Sequence, residues 1–285
     1  MAQQALIRFQ KAGSSATGLM VDISAAEAGW DFVHFIVRRL RRGDTLPLRT
    51  RGEECAVVLL SGAAEVTIDG GAGQPFGPRQ SVFDSYPHAL YLPDGHEAAL
   101  RASEATEVAE CRAPSTAALE PRMIASADCG YEIRGGGNAT RQIIDILPPA
   151  FPADKLLICE VLTPGGNWSS YPPHKHDVDN PPVEVDLEEI YYYRMRQPDG
   201  YGFQRLYTAD GSRDETVKVE DGDVVLVRDG YHPYVSAYGI DSYYLNVLAG
   251  TRRSMAASDD PRYAAVRKSW PAPDPRLPMI RKPQG

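Results

Sequence analysis

His174 and His176 stand one residue apart in Tyr171-Pro172-Pro173-His174-Lys175-His176-Asp177, and Glu189 later opens the aromatic run Glu189-Ile190-Tyr191-Tyr192-Tyr193. Successive side chains of an extended strand point to opposite faces, so the two imidazoles share one face and Lys175 takes the other. Two imidazoles from one strand and a carboxylate from the next are the donor types of a divalent metal site. A fourth donor follows further on. Gly222-Asp223-Val224-Val225-Leu226-Val227 reads as a strand, and Gly230-Tyr231-His232 as a tight turn with an imidazole just beyond it. An HxH pair alone fits core packing equally well. Four donors on three strand edges fit a small β-barrel, whose alternate residues are aimed into its mouth.

The elements that must carry these residues are short alternating or apolar runs punctuated by Gly, Pro and Asp, with little helical periodicity. Strands are expected over 30–38, 54–60, 63–68, 81–83, 88–92, 98–102, 107–112, 132–135 and 141–147. In the second half they are expected over 156–162, 190–195, 203–208, 215–219, 223–227 and 243–248. The Pro- and Arg-rich tail from Thr251 reads as a strap over the body, with room for a short helix over 261–270. The pattern predicts an all-β protein.

A weak internal echo suggests two copies of one barrel. Glu54 precedes the apolar run Cys55-Ala56-Val57-Val58-Leu59-Leu60 as Glu189 precedes Ile190-Tyr191-Tyr192, and Leu92-Pro93-Asp94-Gly95-His96 resembles the turn at His232. The run before Glu54 is Leu46-Pro47-Leu48-Arg49-Thr50, without histidine, so only the second copy is expected to hold a metal. The Pro148-Pro149-Ala150-Phe151-Pro152 linker places the domains at 1–147 and 148–285.

A chain of 285 residues with 43% hydrophobic and 24% charged residues can bury one large or two medium cores. Its net charge of -8 argues against nucleic acid as a partner. Arg38-Arg39-Leu40-Arg41-Arg42 reads as a strand end or a set of ion-pair partners rather than an RNA or membrane patch. No apolar stretch is long enough to cross a bilayer, residues 1–10 lack a secretory signal, and Cys55, Cys111, Cys129 and Cys159 are scattered. A cytoplasmic protein with reduced cysteines is expected.

The order HxH, Glu before an apolar-aromatic strand, Gly-Asp-apolar, then Gly-x-His resembles the two motifs of the cupin superfamily. Two departures stand out: a longer gap over 177–186, and Arg228 in place of the usual proline of the second motif. With these departures, Asn167-Trp168-Ser169-Ser170-Tyr171-Pro172-Pro173-His174-Lys175-His176-Asp177, Leu187-Glu188-Glu189-Ile190-Tyr191-Tyr192-Tyr193-Arg194 and Asp229-Gly230-Tyr231-His232-Pro233 resemble the 5-deoxy-glucuronate isomerase family of myo-inositol catabolism. The resemblance implies a bicupin, with two tandem cupin-type β-barrels. It implies conversion of 5-deoxy-D-glucuronate to 5-dehydro-2-deoxy-D-gluconate by an aldose-ketose shift through a metal-stabilised enediolate. It maps the metal ligands to His174, His176, Glu189 and His232, with Glu189 preferred to Glu188 as the residue directly before Ile190. Zinc is the first expectation, with manganese or iron as alternatives.

A group must also carry the proton between neighbouring carbons. Glu188, Asp177, Glu184, Tyr191 and Tyr193 are candidates, and the two tyrosines share the face of Glu189. The substrate carboxylate calls for a cation. Arg228, on the turn that delivers His232, is placed ahead of Arg194, Arg205 and Lys175, and Lys175 is expected to point away in an exposed or ion-paired position. Asn246 is expected either to orient a ligand or to satisfy a backbone group. Two other functions fit the same donors: an iron-dependent cupin dioxygenase and a non-catalytic sugar-acid-binding bicupin. The expected partner is a small sugar acid, and barrel edges offer a route to a homo-oligomer.

Overall fold

The structure is a computed structural model that describes residues 6–7 and 18–283. The expectation about a signal over residues 1–10 lies, apart from Leu6 and Ile7, outside the described residues. Among the described residues helix is limited to one capped turn, Ala25–Ala28, and a 3-10 turn, Ala264–Lys268, so the all-β reading holds. No helix among them is long and apolar enough to cross a membrane.

The chain folds as two compact units. One comprises the described residues of 18–130, Ile146–Leu157 and the end from Ile280; the other comprises Leu6–Ile7, Tyr131–Asp145 and Ile158–Met279. In the first unit the organising element is the sixteen-residue strand Glu53–Ile68. Its first half pairs with Ala89–Leu92 and Thr106–Pro114, and its second half with Gln74–Arg79 and Glu97–Ala102. Two separate strands were expected over 54–60 and 63–68. They are one strand bent at Ser61 and Gly62, where the register shifts. Gly62 has φ +93°, and a Cβ there would stand 2.4 Å from the Ala105 carbonyl oxygen, so no other residue fits the bend.

The strand expected over 81–83 is instead a turn that buries Val82 and Phe83. The arginine run supplies ion pairs, Arg38 to Glu110 and Arg39 to Glu107. All four cysteines are free and buried. The interior of this unit is aliphatic. Leu46 and Leu48 pack with Cys55, Val57, Leu90 and Leu92.

Glu54 lies on the face opposite Cys55 and is fully buried. Its carboxylate accepts the Tyr91 hydroxyl at 2.6 Å and the backbone N–H groups of Asp154, Lys155 and Leu156 at 2.7–2.8 Å. The spelling that aligned Glu54 with Glu189 therefore mismatches their faces.

In the second unit Leu187–Met195 lies between Val224–Val227 and Ser242–Gly250, followed in the sheet by Leu157–Thr163 and Arg141–Leu147. Leu6–Ile7 pairs with the outer side of Val224–Val227. A four-stranded sheet, Trp168–Ser169, Tyr234–Ser236, Tyr201–Tyr207 and Asp214–Glu220, supplies the other wall. The core between them is aromatic, with Tyr191, Tyr193, Tyr234 and Tyr244 among its members. The tail does run as a strap: Asp274 and Arg276 bond the Asn167 side chain, and the Met279 N–H donates to Gln142.

Candidate metal centre

Leu187–Met195 pairs in unbroken register on both sides, with Glu189 opposite Val227 and Leu248. Alternation therefore sends Glu189, Tyr191 and Tyr193 to one face. Both tyrosines join the aromatic core on that face. His232 follows a turn at Gly230, φ +74°, where a Cβ would stand 2.4 Å from the Tyr207 carbonyl oxygen. The Gly230 N–H donates to Asp177 Oδ2 at 2.7 Å, which ties this turn to the histidine pair. His174–Lys175 is a two-residue strand paired with Ser258–Asp259 of the tail.

These elements bring one donor atom each of His176, Glu189 and His232 to within 4.8 Å of one another. The three residues are 6%, 2% and 0% exposed, so the cluster is sealed from bulk water. His176 Nε2 lies 2.8 Å from Glu189 Oε2. His232 Nε2 lies 3.2 Å from the same oxygen but is misaligned for a hydrogen bond and has no other partner. A buried nitrogen without a partner is costly unless something else binds it. His174 stands just outside this triad, its ring edge-on to that of His232 with centroids 4.8 Å apart.

The far side of each ring explains its orientation. Nδ1 of His174, His176 and His232 meets the backbone carbonyls of Pro172 at 3.2 Å, Leu187 at 3.0 Å and Gly230 at 3.0 Å. A carbonyl only accepts, so each Nδ1 carries the hydrogen, and a neutral ring then has its lone pair on Nε2. Carbonyl support of this kind is how metal-binding imidazoles are held. Three such rings and one carboxylate, with one nitrogen orphaned, fit a divalent ion.

The electrostatics agree. Burial, reinforced by neighbouring imidazoles, pushes His174 and His232 below the ordinary imidazole value and keeps them neutral. Burial also opposes a charge on His176, but Glu189 outweighs it and raises this one ring. For Glu189 burial is likewise outweighed, and His232 and His176 hold its carboxyl at about 2. On acidification His176 is thus the first ring to take a proton, while Glu189 stays ionised. A divalent ion held here would lose affinity on acidification with a dependence close to one proton, because His176 is the ring raised above the ordinary imidazole value of 6.5. Metal content measured after equilibration across a pH series checks this; a steep three-proton release would contradict it.

The other predicted residues are distributed around the cluster. Tyr191 packs edge-on to His232 at 5.9 Å and stacks on Tyr193 at 6.1 Å. Burial, with the charge of Glu189 adding to it in Tyr191, pushes both phenols up, so both are neutral. Glu188 lies on the opposite face of the strand from Glu189, half-buried, and its charge acts on Arg228. Lys175 points away as expected, paired with Asp177 and with Glu184 at 2.7 Å. Glu184 also accepts the N–H groups of Asp177 and Val178, so both carboxylates organise the long 177–186 insertion. Arg194 pairs with Asp221 and Arg205 with Asp214. Asn246 donates to the Ile190 carbonyl, which is the backbone role. Reasoning from sequence missed Ser170, whose φ of +50° and bonds to Tyr191 and Tyr244 have no signature in residue type.

Comparison with known proteins places the chain in a family. A model of the KduI/IolB family matches residues 6–266. A 5-deoxy-glucuronate isomerase of Geobacillus kaustophilus is 43% identical over 253 residues, covering 88% of this chain and 92% of its own length. The 5-deoxy-glucuronate isomerase of Bacillus subtilis is 38% identical over 252 residues, 88% of this chain and 93% of its own. The crystal structure of an IolB-like protein from Salmonella typhimurium superposes with a TM-score of 0.88 at 38% identity, covering 92% of this chain and 99% of that one. A Bacillus subtilis oxalate decarboxylase variant superposes at 0.63 with 15% identity over 91% of this chain and 80% of that one, a likeness of fold.

Proposed function

The chain belongs to the KduI/IolB family and is an isomerase, and we propose that it converts 5-deoxy-D-glucuronate to 5-dehydro-2-deoxy-D-gluconate at a divalent metal centre held by His174, His176, Glu189 and His232. The observation that carries the metal reading is the orphaned Nε2 of His232 beside the Glu189 carboxylate. Zinc is our first assignment, and manganese or iron suit the same donors. A bound ion supplies Lewis acidity toward the sugar's carbonyl and neighbouring hydroxyl oxygens.

The chain's own groups do the rest. The carbonyls of Pro172, Leu187 and Gly230 fix the three rings before anything binds, so little reorganisation is needed during reaction. Of the proton-carrying candidates, Tyr191 shares the face of Glu189 and touches the ring of His232, so we place it nearest the reacting carbons. Tyr193 backs it and is held by Gln204 at 3.0 Å. Arg228 remains our assignment for the substrate carboxylate, with Glu188 as its companion, because it follows Val224–Val227 on the turn that carries His232.

The test is direct. Metal-replete protein is mixed with 5-deoxy-D-glucuronate without oxygen, and the aldehyde proton is followed by NMR. Loss of that signal, stopped by a chelator and restored by zinc, is the expected result. Bound metal without aldehyde loss would sink the substrate assignment, and turnover only with oxygen would favour a dioxygenase.

A further inference from the structure

Ser170 is buried, stands four residues before His174, and holds a left-handed backbone at φ +50° that costs a non-glycine residue about 1 kcal/mol or more. Its neighbours are hydroxyls. Ser170 Oγ lies 3.0 Å from the Tyr191 hydroxyl and 3.4 Å from that of Tyr244, and Tyr244 donates to Ser169 Oγ at 3.2 Å.

A hydroxyl carries one hydrogen, so these bonds have a direction. Tyr244 gives its hydrogen to Ser169, and Ser170 must therefore donate to Tyr244. Tyr191 must in turn donate to Ser170. The chain runs one way, from the ring that touches His232 toward Ser169.

We propose that Ser170 is a positioning residue for the reaction, drawing the hydroxyl hydrogen of Tyr191 along this chain so that the phenol oxygen is presented as a hydrogen-bond acceptor. The group it would recognise is a hydroxyl donor of the polyol substrate. This explains why a strained, buried serine stands where glycine would relieve the backbone. The inference rests on the isomerase reading above, with Tyr191 beside the substrate.

Ser170→Gly tests it, since glycine accepts φ +50° and removes only the hydroxymethyl group, so the backbone strain it relieves offsets the acceptor lost to the Tyr191 hydroxyl. We expect kcat to fall about tenfold to hundredfold, the range for losing a supporting hydrogen bond. Metal content should match the wild type, and the melting temperature should stay within a few degrees of it, because the strain relieved and the hydrogen bond lost are of similar size. The double variant Ser170→Gly/Tyr191→Phe should be no slower than Tyr191→Phe alone, because the serine acts through the phenol. A Ser170→Gly rate within twofold of wild type, loss of metal, or multiplicative losses in the double variant would each overturn the proposal. Wild-type turnover of the uronate, measured alongside, separates these failures from failure of the isomerase reading.

Discussion

His232→Ala should leave a folded protein that retains no stoichiometric metal and isomerises the uronate roughly a thousandfold more slowly, or not measurably. Lewis-acid stabilisation is worth several kcal/mol, and each ~1.4 kcal/mol is tenfold in rate. Among the described residues, the variant removes the one imidazole whose Nε2 is buried without a hydrogen-bond partner. It also leaves the His176 to Glu189 contact of 2.8 Å intact, so the loss would be specific to the metal. Metal analysis and the NMR rate, with His34→Ala as a control, measure it. His34 pairs with Asp22 in the other unit and should matter to neither readout. An unchanged rate in His232→Ala would remove His232 from the ligand set.

The second large effect concerns stability. Glu54→Ala strands three backbone N–H groups and the Tyr91 hydroxyl, each of which now donates to the Glu54 carboxylate. Leaving a buried donor unsatisfied costs about 1–3 kcal/mol, and breaking a buried charged network about 3–5 kcal/mol in total. At about 2–4 °C per kcal/mol for a unit of this size, the first unit should melt roughly 10 °C lower. Differential scanning calorimetry of Glu54→Ala checks this, with Glu97→Ala, an exposed residue, as the comparison. Glu54→Gln should lose less, because an amide oxygen still accepts. If Glu54→Ala melted like the wild type, the carboxylate would not be holding the 154–156 segment.

Much of this was legible from residue type and spacing. Period-two alternation marked most strands, and His174, His176, Glu189 and His232 were visible because side-chain chemistry is written in the sequence. The misses share a cause: they depend on backbone direction. Glu53–Ile68 reads as two strands because Ser61-Gly62 looks like a turn, whereas the strand runs on through the bend and passes there from one pair of partners to another. Ser81-Val82-Phe83 is apolar enough for a strand, but a buried turn satisfies the same residues. Glu54 and Glu189 are spelled alike yet face opposite ways, since a one-residue offset inverts a strand. The carbonyls that orient the three rings, and the left-handed φ of Ser170, belong to the main chain and leave no trace in composition.

The pairing of His174–Lys175 with Ser258–Asp259 has a consequence for biosynthesis. The Asp260 N–H donates to the Pro173 carbonyl, and Asp260 also accepts the Tyr207 hydroxyl, so this late segment clasps the chain on both sides of the histidine pair. His174 leaves the ribosome long before its strand partner does. Until Ser258 and Asp259 emerge, the strand that carries it has no partner. The short strand that carries His174 is thus completed only once residues 258–260 have been made.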